Sequence, residues 1–170
     1  MENIVKTLLV LNGAPGIGKS VTAREIQKRL YRSVWLDGDW CWMANPWIVT
    51  QETKEVAESN MAFVLSNFLG CSEYRYVIYS WLFRRNEVLR SVLDRLTTSA
   101  FETIFITLTC EPETYKSRLM HAGRKNSDIQ RHVKTLAMCS DVDAIQIETT
   151  GVAIPAVVEA ILTVLGVGNR

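Results

Sequence analysis

Apolar residues form five short runs along the chain, and between these runs they recur at every third or fourth position. The runs cover residues 4–11, 33–37, 74–81, 103–110 and 144–150, each the length of a strand. The intervening helical positions are Ala23, Ile26 and Leu30; Val56, Met61, Val64, Leu65 and Phe68; Val88, Leu89, Val92, Leu93 and Leu96; and Val158, Ile161, Leu162 and Leu165. Strands that alternate with helices predict an α/β fold with a parallel sheet and right-handed crossovers.

Proline and polar residues mark the expected helix starts. Pro112 and Pro155 suit the first helical turn, where the missing N–H of proline costs nothing. Ser127 with Gln130 resembles a capping box for another helix. Residues 38–51 follow neither periodicity and contain a proline and three tryptophans, so we expect a folded loop there. No repeat or linker divides the chain.

Length and composition are those of an ordinary globular domain. The chain has 170 residues, of which 48% are hydrophobic and 22% charged, so a single domain over residues 1–170 can bury a full core. Its net charge of +1 gives no general attraction to nucleic acid or membranes. Four cysteines without a CxxC spacing and only two histidines indicate no zinc or redox site. With no signal-peptide pattern and no apolar run near the roughly 20 residues of a membrane helix, we expect a cytoplasmic monomer or homodimer.

The sequence "GAPGIGKS" at residues 13–20 lies between the first strand and the first helix, and it matches GxxxxGK[ST] without a gap. Glycines let backbone N–H groups surround an anion, and the positive N-terminal end of the following helix points at that anion. Lys19 supplies a mobile cation for the outer phosphates, and the Ser20 hydroxyl suits Mg²⁺. The predicted nucleotide-binding residues are Gly13, Ala14, Pro15, Gly16, Ile17, Gly18, Lys19, Ser20 and Val21. A plain glycine turn is one alternative; a dinucleotide fingerprint would need a third glycine where Val21 stands.

The second strand ends in "LDGD", which places Asp37 and Asp39 two residues apart. If the strand continues, both carboxylates share one face, and Gly38 leaves room for a ligand between them. Near a Mg-triphosphate, one carboxylate can hold the water shell of the metal and the other can accept a proton from an attacking hydroxyl. The alternative is an Asp-Gly turn with two solvated carboxylates.

Aromatic and basic residues follow the second and third strands, where ligands of parallel sheets bind. The tryptophans of the predicted loop are Trp40, Trp42 and Trp47. Flat side chains with a polar group suit the wall of an acceptor pocket, and a local cluster under a helix is the alternative. Trp81 ends the third strand, and Arg84 or Arg85 can bind a phosphate or carboxylate of the acceptor or form a solvated helix start.

A basic segment separates the fourth strand from the fifth. Its charged residues are Arg118, Arg124, Lys125 and Arg131, and Gly123 lies among them. Helices broken by glycine and rich in arginine are typical of a lid that stabilises charge on a transferring phosphoryl group. We expect this role for Arg118 and Arg124, with a solvated basic face as the alternative, whereas Arg131 and both histidines are expected on the surface. Thr150, at the end of the fifth strand, is expected to border the nucleotide base.

With "GAPGIGKS" and "LDGD" in this order of elements, the chain resembles the P-loop kinases of small molecules and nucleotides. That family includes nucleoside monophosphate kinases, gluconate, shikimate and adenylyl-sulfate kinases, and chloramphenicol phosphotransferases. The resemblance implies a three-layer fold, with a five-stranded parallel sheet in the order 2-3-1-4-5 and helices on both faces. It also implies Mg-ATP as the donor, an acceptor-binding segment at about residues 39–70 and a lid at about residues 111–140.

The same resemblance implies roles for single residues. Asp37 corresponds to the carboxylate on the metal side, and Asp39 to the base on the acceptor side. Arg118, in "SRL", corresponds to an arginine that packs on adenine, and Arg124 to an arginine of the lid. The third strand lacks the Gly-x-Pro-Arg pattern of nucleoside monophosphate kinases, and the acceptor segment is rich in tryptophan. Sugar acids, nucleotides, antibiotics and other hydroxyl compounds therefore all stay open as acceptors.

The predicted function is transfer of the γ-phosphoryl group of Mg-ATP to a hydroxyl of a small molecule. The main rival is a nucleotide-binding switch or regulatory NTPase without an acceptor. Such proteins carry their Walker B acid after an apolar strand elsewhere, whereas here two aspartates end the second strand. A polynucleotide kinase module is disfavoured because the net charge is close to neutral.

Overall fold

The computed structural model of the protein describes residues 5–98 and 101–167. Its strands are β1 (Lys6–Asn12), β2 (Ser33–Asp37), β3 (Tyr76–Ser80), β4 (Phe101–Thr109) and β5 (Ile145–Glu148). Its helices are α1 (Lys19–Arg29), α2 (Gln51–Gly70), α3 (Asn86–Leu93), α4 (Pro112–His121), α5 (Asn126–Ser140) and α6 (Ile154–Val164), and a 3-10 helix covers Gly38–Trp42. Among the described residues, no helix combines the length and the apolar character that crossing a membrane requires.

The five strands form one parallel sheet in the order β2-β3-β1-β4-β5, which confirms the fold class and the strand order implied by the resemblance. In this register Ser80, the last residue of β3, lies beside both Leu11 of β1 and Asp37 of β2. The carboxyl ends of three neighbouring strands therefore meet at one edge of the sheet, where ligands of such sheets bind.

Each face of the sheet packs against its own apolar core. On β1, Leu9 and Leu11 belong to the core shared with α1 and α6, whereas Leu8 and Val10 belong to the core shared with α2 and α3. All four side chains are at most 1% exposed. A strand that is buried on both faces needs apolar side chains at consecutive positions, which explains the run "LLVL".

The apolar faces predicted for two helices are partly wrong. Val56 of α2 is exposed, although Met61 and Leu65 are buried as predicted. The buried positions form a face that also includes two alanines and Leu69. They are Ala57, Met61, Ala62, Leu65 and Leu69. Because alanine carries a weak apolar signal, a pattern based on large side chains moves the face to the neighbouring position. The stripe predicted for α3 extends too far, since the helix ends at Leu93 and Leu96 lies beyond it.

Several element ends also differ from the predictions. The capping box at Ser127 is wrong, because α5 begins at Asn126 after Lys125, which makes no capping bond through its side chain. β3 and β5 are shorter than their apolar runs, because a strand ends where backbone pairing ends, whatever the polarity of its side chains. The predicted loop at residues 38–51 opens with the 3-10 helix. Ile4, predicted in the first strand, lies outside the described residues.

Candidate active site

The predicted phosphate loop joins β1 to α1 in a backbone conformation that favours glycine. Gly13, Gly16 and Gly18 have φ angles of 150°, 82° and 114°, which side chains with a Cβ rarely allow. A Cβ on Gly13 would also lie 2.8 Å from Ile17 Cγ2 and 3.1 Å from the carbonyl oxygen of Leu108. The chain can therefore turn tightly over the sheet, as a nest of backbone N–H groups requires.

The helix that follows this loop has an open N-terminus. Gly18 precedes α1 without a capping bond, and the first turn contains no acidic residue. The first N–H groups of a helix have no partner within it and favour an anion. Lys19 and Ser20 are the first two residues of α1, so both start at this positive end. The loop and the helix together form a site that suits phosphate oxygens.

The Lys19 side chain folds back over the loop. Its Nζ atom donates to the carbonyl oxygen of Gly13 at 2.8 Å and to that of Ala14 at 3.2 Å. Burial lowers the pKa of Lys19, and three nearby acidic groups oppose this shift. They are those of Cys139, Asp39 and Asp37. The ammonium group is thus held by uncharged carbonyl oxygens within electrostatic reach of both aspartates, and the charged oxygens of a phosphate can replace these partners.

Asp37 connects the phosphate loop to the turn after β2. Ser20 Oγ donates to Asp37 Oδ2 at 2.7 Å, and the Asp39 backbone N–H donates to Asp37 Oδ1 at 3.2 Å. Asp37 thereby caps the 3-10 helix Gly38–Trp42. Because the chain turns here instead of continuing as a strand, the expectation that the two carboxylates share one strand face is wrong.

Asp39 lies beside this turn, and its side chain is exposed to solvent at the edge of the cleft. Burial and then the charge of Asp37 raise its pKa, while Lys19 and a side-chain hydrogen bond with Trp81 partly offset that shift. A Cβ on Gly38 would lie 2.5 Å from Trp81 Cγ, so the indole of Trp81 fills the space beside Gly38. The prediction that Gly38 leaves room for a ligand between the two aspartates is therefore wrong. A carboxylate whose pKa is raised accepts a proton more readily than an ordinary aspartate does.

Buried polar bonds fix the chain that follows β3. The Trp81 backbone N–H donates to the carbonyl oxygen of Leu11 at 3.2 Å. The Asn12 side chain accepts from the Phe83 backbone N–H at 2.8 Å and donates to Thr107 Oγ1 at 3.2 Å. Sequence reasoning missed this role of Asn12, although one polar amide that ends an apolar strand run is a signal for it.

A cleft of about 820 Å³ opens between the 3-10 helix, α2, α3 and the chain after β3. Four of the residues predicted to bind the acceptor line it: Asp39, Trp42, Trp81 and Arg84. Trp47 and Arg85 line it too, as do residues that sequence reasoning missed: Lys54, Glu58, Arg95 and Met138. These missed residues come from α2, from the turn after α3 and from α5, which are far apart in the chain, so no local motif signals them.

Trp40 lies outside this cleft, against the prediction that it contacts the acceptor. Its ring packs on Trp35, with the ring centroids 4.9 Å apart, and its side chain is 55% exposed. Trp35 in turn is held by a hydrogen bond from its Nε1 atom to Ser80 Oγ at 2.9 Å. Trp40 therefore covers the end of β2 instead of the cleft wall.

The first helix of the predicted lid packs against the phosphate loop. The Tyr115 hydroxyl of α4 donates to the carbonyl oxygen of Pro15 at 2.6 Å. The Arg118 guanidinium donates to Thr149 Oγ1 at 3.1 Å and to the Thr149 carbonyl oxygen at 2.5 Å. Thr150 is the next residue, so the fold brings Arg118 and Thr150 together beyond β5.

The turn after α4 carries Arg124 next to Gly123, whose φ is 72°. The Arg124 side chain is exposed, and its charge acts on Tyr115 and His132. His132 is half-buried, and its Nδ1 atom is buried without a partner among the described residues, so it is not a plain surface histidine. Arg131 is exposed.

Ser20 and Asp37 offer oxygen donors for a metal that accompanies a triphosphate. The described part of the chain contains no group of three or more His, Cys, Asp or Glu side chains placed to hold an ion by themselves. Mg²⁺ in nucleotide sites is bound through one or two carboxylates, with water and substrate phosphates completing its shell. A hydroxyl and a carboxylate oxygen 2.7 Å apart therefore fit Mg-ATP as a substrate.

One protein-family model matches most of the chain. A family model described as an AAA domain matches residues 9–141, which include the phosphate loop, both aspartates and the predicted lid. No curated protein sequence is significantly similar to this chain.

Solved structures of the same fold align with nearly the whole chain. A sugar kinase from Janibacter sp. HTCC2649 covers 98% of this chain and 99% of its own, with a TM-score of 0.68 and 15% identity. The tunicamycin resistance protein of Deinococcus radiodurans covers 97% and 99%, with a TM-score of 0.70 and 15% identity. A gluconokinase from Sinorhizobium meliloti 1021 covers 96% and 93%, with a TM-score of 0.69 and 14% identity. The resemblance to P-loop kinases is thus confirmed at the level of the fold.

Proposed function

This chain belongs to the AAA domain family, and we propose that it is an ATP-dependent phosphotransferase. It moves the γ-phosphoryl group of Mg-ATP to a hydroxyl of a small molecule that binds in the cleft beside Asp39. A sugar kinase and a gluconokinase have the same fold, which supports a hydroxyl acceptor. Sugar acids, nucleotides and antibiotics are the acceptor classes to test.

The position of Asp39 between the phosphate loop and the cleft carries this proposal. Its backbone N–H bonds to Asp37, which in turn accepts from Ser20 of α1. Its carboxylate charge acts on Lys19. The same residue lines a cleft of about 820 Å³, which is large enough for a small molecule. Direct transfer needs a phosphate site and an acceptor site that meet at one group.

Each residue of this arrangement then has one task. The loop backbone and Lys19 bind the outer phosphates and offset their charge. Ser20 and Asp37 would hold Mg²⁺, directly or through water, and the ion would supply positive charge beside the phosphates of ATP. Asp39 orients the acceptor hydroxyl and accepts its proton as the hydroxyl oxygen bonds to the γ-phosphorus. The bond between the γ-phosphorus and the oxygen that bridges it to the β-phosphorus breaks, and ADP leaves with the electron pair of that bond.

The segment at about residues 111–140 acts in this proposal as a lid. Arg118 and Thr150, which lie together beyond β5, border the nucleotide base. Arg124 moves onto the transferring phosphoryl group when the lid closes, because an arginine there stabilises the charge of the transition state. Its side chain is exposed, so this movement does not require it to leave a buried position.

A screen of metabolites and antibiotics for acceptor-dependent release of ADP from Mg-ATP tests the proposal. We expect at least one hydroxyl compound to accelerate ADP release and to be recovered as its phosphate ester in equal amount. Lys19→Met serves as the inactive control. ATP turnover that stays slow with every compound would contradict the proposal. It would favour a switch or regulatory NTPase, which needs a phosphate loop but no acceptor cleft.

A further inference from the structure

Three tryptophan side chains form a row along one wall of the cleft. Trp42 stacks on Trp47, with ring centroids 5.7 Å apart and planes inclined by 27°. Trp42 also lies near Trp81, with ring centroids 6.4 Å apart and planes inclined by 31°. Trp81 packs against Gly38 beside Asp39, and Trp47 forms the opposite end. The tryptophan row therefore leads from the proposed proton acceptor toward solvent.

The outer end of the tryptophan row is apolar and poorly covered. Trp47 is 60% exposed, and Val49 and Met138, which line the same cleft, are 52% and 41% exposed. Large apolar side chains that are exposed together at a cleft mark a binding surface, because a ligand that covers them removes apolar area from water. The mouth of the cleft thus favours an apolar part of a ligand.

One polar group of the cleft, the Glu58 carboxylate, already has partners within the protein. Glu58 accepts from Ser91 Oγ at 3.0 Å and pairs with Arg95 at 3.6 Å. An acceptor made only of hydroxyl groups would compete with these bonds and leave the tryptophan row in water. The volume of about 820 Å³ lies in the upper part of the range for small-molecule sites, so a six-carbon polyol does not fill it.

We propose that the acceptor carries a flat ring that packs on Trp47 while its hydroxyl lies at Asp39. This inference rests on the proposed function, since it names the acceptor class of the same site. The flat ring is aromatic or is the C–H face of a sugar, and an indole offers an apolar face to both. Ring-free polyhydroxy acids such as gluconate are poor acceptors, because they leave the row uncovered.

Isothermal titration calorimetry, with Mg²⁺ and a non-hydrolysable ATP analogue present, tests this inference without needing turnover. The probes are the phenyl, cyclohexyl and methyl β-D-glucopyranosides and gluconate. The three glucosides share their hydroxyls and differ only in an aromatic, a puckered or no second ring. We expect the phenyl glucoside to bind roughly 2- to 10-fold more tightly than the cyclohexyl glucoside, the contribution of an aromatic pair beyond buried area. Gluconate should bind most weakly.

Trp47→Ala and Trp40→Ala form a matched pair for this experiment. Both tryptophans are exposed residues of the same segment, but only Trp47 lines the cleft. Trp47→Ala should abolish the preference for the phenyl glucoside, whereas Trp40→Ala should retain it. Trp47→Phe keeps a flat ring and should restore most of the preference. Far-UV circular dichroism confirms that each variant is folded before its binding is compared.

The outcomes separate this inference from the function on which it rests. Equal binding of the phenyl and methyl glucosides, weakened alike by Trp47→Ala, supports the inference and assigns the ring to the sugar. The inference is overturned if gluconate binds most tightly, if Trp47→Ala changes the affinity for none of the probes, or if no glucoside binds at millimolar concentration. Transfer to a ring-free acceptor contradicts the inference alone. Ring-dependent binding without transfer to any compound contradicts the proposed function instead.

Discussion

The phosphate loop and the cleft, the two halves of the candidate site, are built in different ways. The loop at residues 13–20 is one contiguous segment, and its polar side chains already have partners within the protein: Lys19 on loop carbonyls and Ser20 on Asp37. The cleft takes its side chains from the 3-10 helix, α2, α3 and α5, and it leaves Trp47 60% exposed.

This difference shows which half is prepared for its ligand in advance. Lys19 and Ser20 already hydrogen-bond to oxygens of the protein, so internal contacts hold the side chains of the loop in place. Trp47 stacks on the ring of Trp42 and otherwise leaves 60% of its surface exposed. In the proposed function the phosphate half is therefore preorganised, whereas the acceptor half leaves apolar surface for its ligand to cover.

The largest expected effect comes from the phosphate half. Lys19→Met keeps the length of the side chain but removes its charge, so acceptor-dependent turnover should fall by about 10²–10³. The far-UV spectrum should stay unchanged. Lys28→Met is the matched control, because Lys28 lies on the same helix but is exposed and pairs with Glu25. Wild-type turnover of Lys19→Met in a coupled ADP assay would show that the loop has been misassigned.

Asp39, where the two halves meet, should give the next largest effect. Asparagine keeps the shape of the side chain but cannot accept a proton, so Asp39→Asn should lower acceptor-dependent turnover by on the order of a hundredfold. The affinity for ATP should change little, as measured by calorimetry. Full transfer by this variant, or complete loss of ATP binding, would refute the division of roles between the aspartates.

Asp37→Asn is the matched comparison on the phosphate side. Asp37 bonds to Ser20 and not to the cleft, so its loss should raise the Mg²⁺ concentration needed for half-maximal turnover. Steady-state rates at increasing Mg²⁺ measure this shift. An unchanged Mg²⁺ dependence combined with weaker acceptor binding would exchange the roles assigned to the two carboxylates.

Gly38→Ala tests the packing that joins the two halves. The added Cβ would lie 2.5 Å from Trp81 Cγ, so the turn or the indole must move, which should cost about 1–3 kcal/mol of unfolding free energy. Gly70→Ala is the control, since nothing lies within 4 Å of its added Cβ and alanine suits a helix better by roughly 0.5–1 kcal/mol. Equal urea midpoints for the two variants would mean that Trp81 does not occupy this space.

The smallest effect expected is a pH dependence of stability. Burial and Asp37 raise the pKa of Asp39 above its usual value of 3.8, so the folded protein binds this proton more tightly than the unfolded chain. The stabilisation from Asp39 is therefore present at acid pH and lost as the pH rises through the folded pKa. Relative to wild type, Asp39→Asn should unfold at a higher temperature at pH 7, with the gap closing below pH 4. A constant gap in calorimetric scans would contradict the raised pKa.

The same comparison explains what the sequence could predict. The loop residues follow from one motif, and the strand order from the family resemblance and the alternation of elements. The turn at Asp37 was not predictable, because it depends on a capped N–H and on Trp81 filling the space at Gly38. Trp40 and Trp47 look alike in sequence. Only packing on Trp35 in one case and Trp42 in the other places one outside and one inside the cleft.

The most direct test of the central claim, that both halves act on one hydroxyl at Asp39, follows the γ-phosphoryl group itself. The protein is incubated with Mg-ATP labelled at the γ-phosphorus and with an acceptor found in the screen, and the labelled products are separated. We predict label in a phosphate ester of the acceptor, reduced about a hundredfold by Asp39→Asn. Label recovered only as inorganic phosphate, in an amount that the acceptor does not change, would contradict the account.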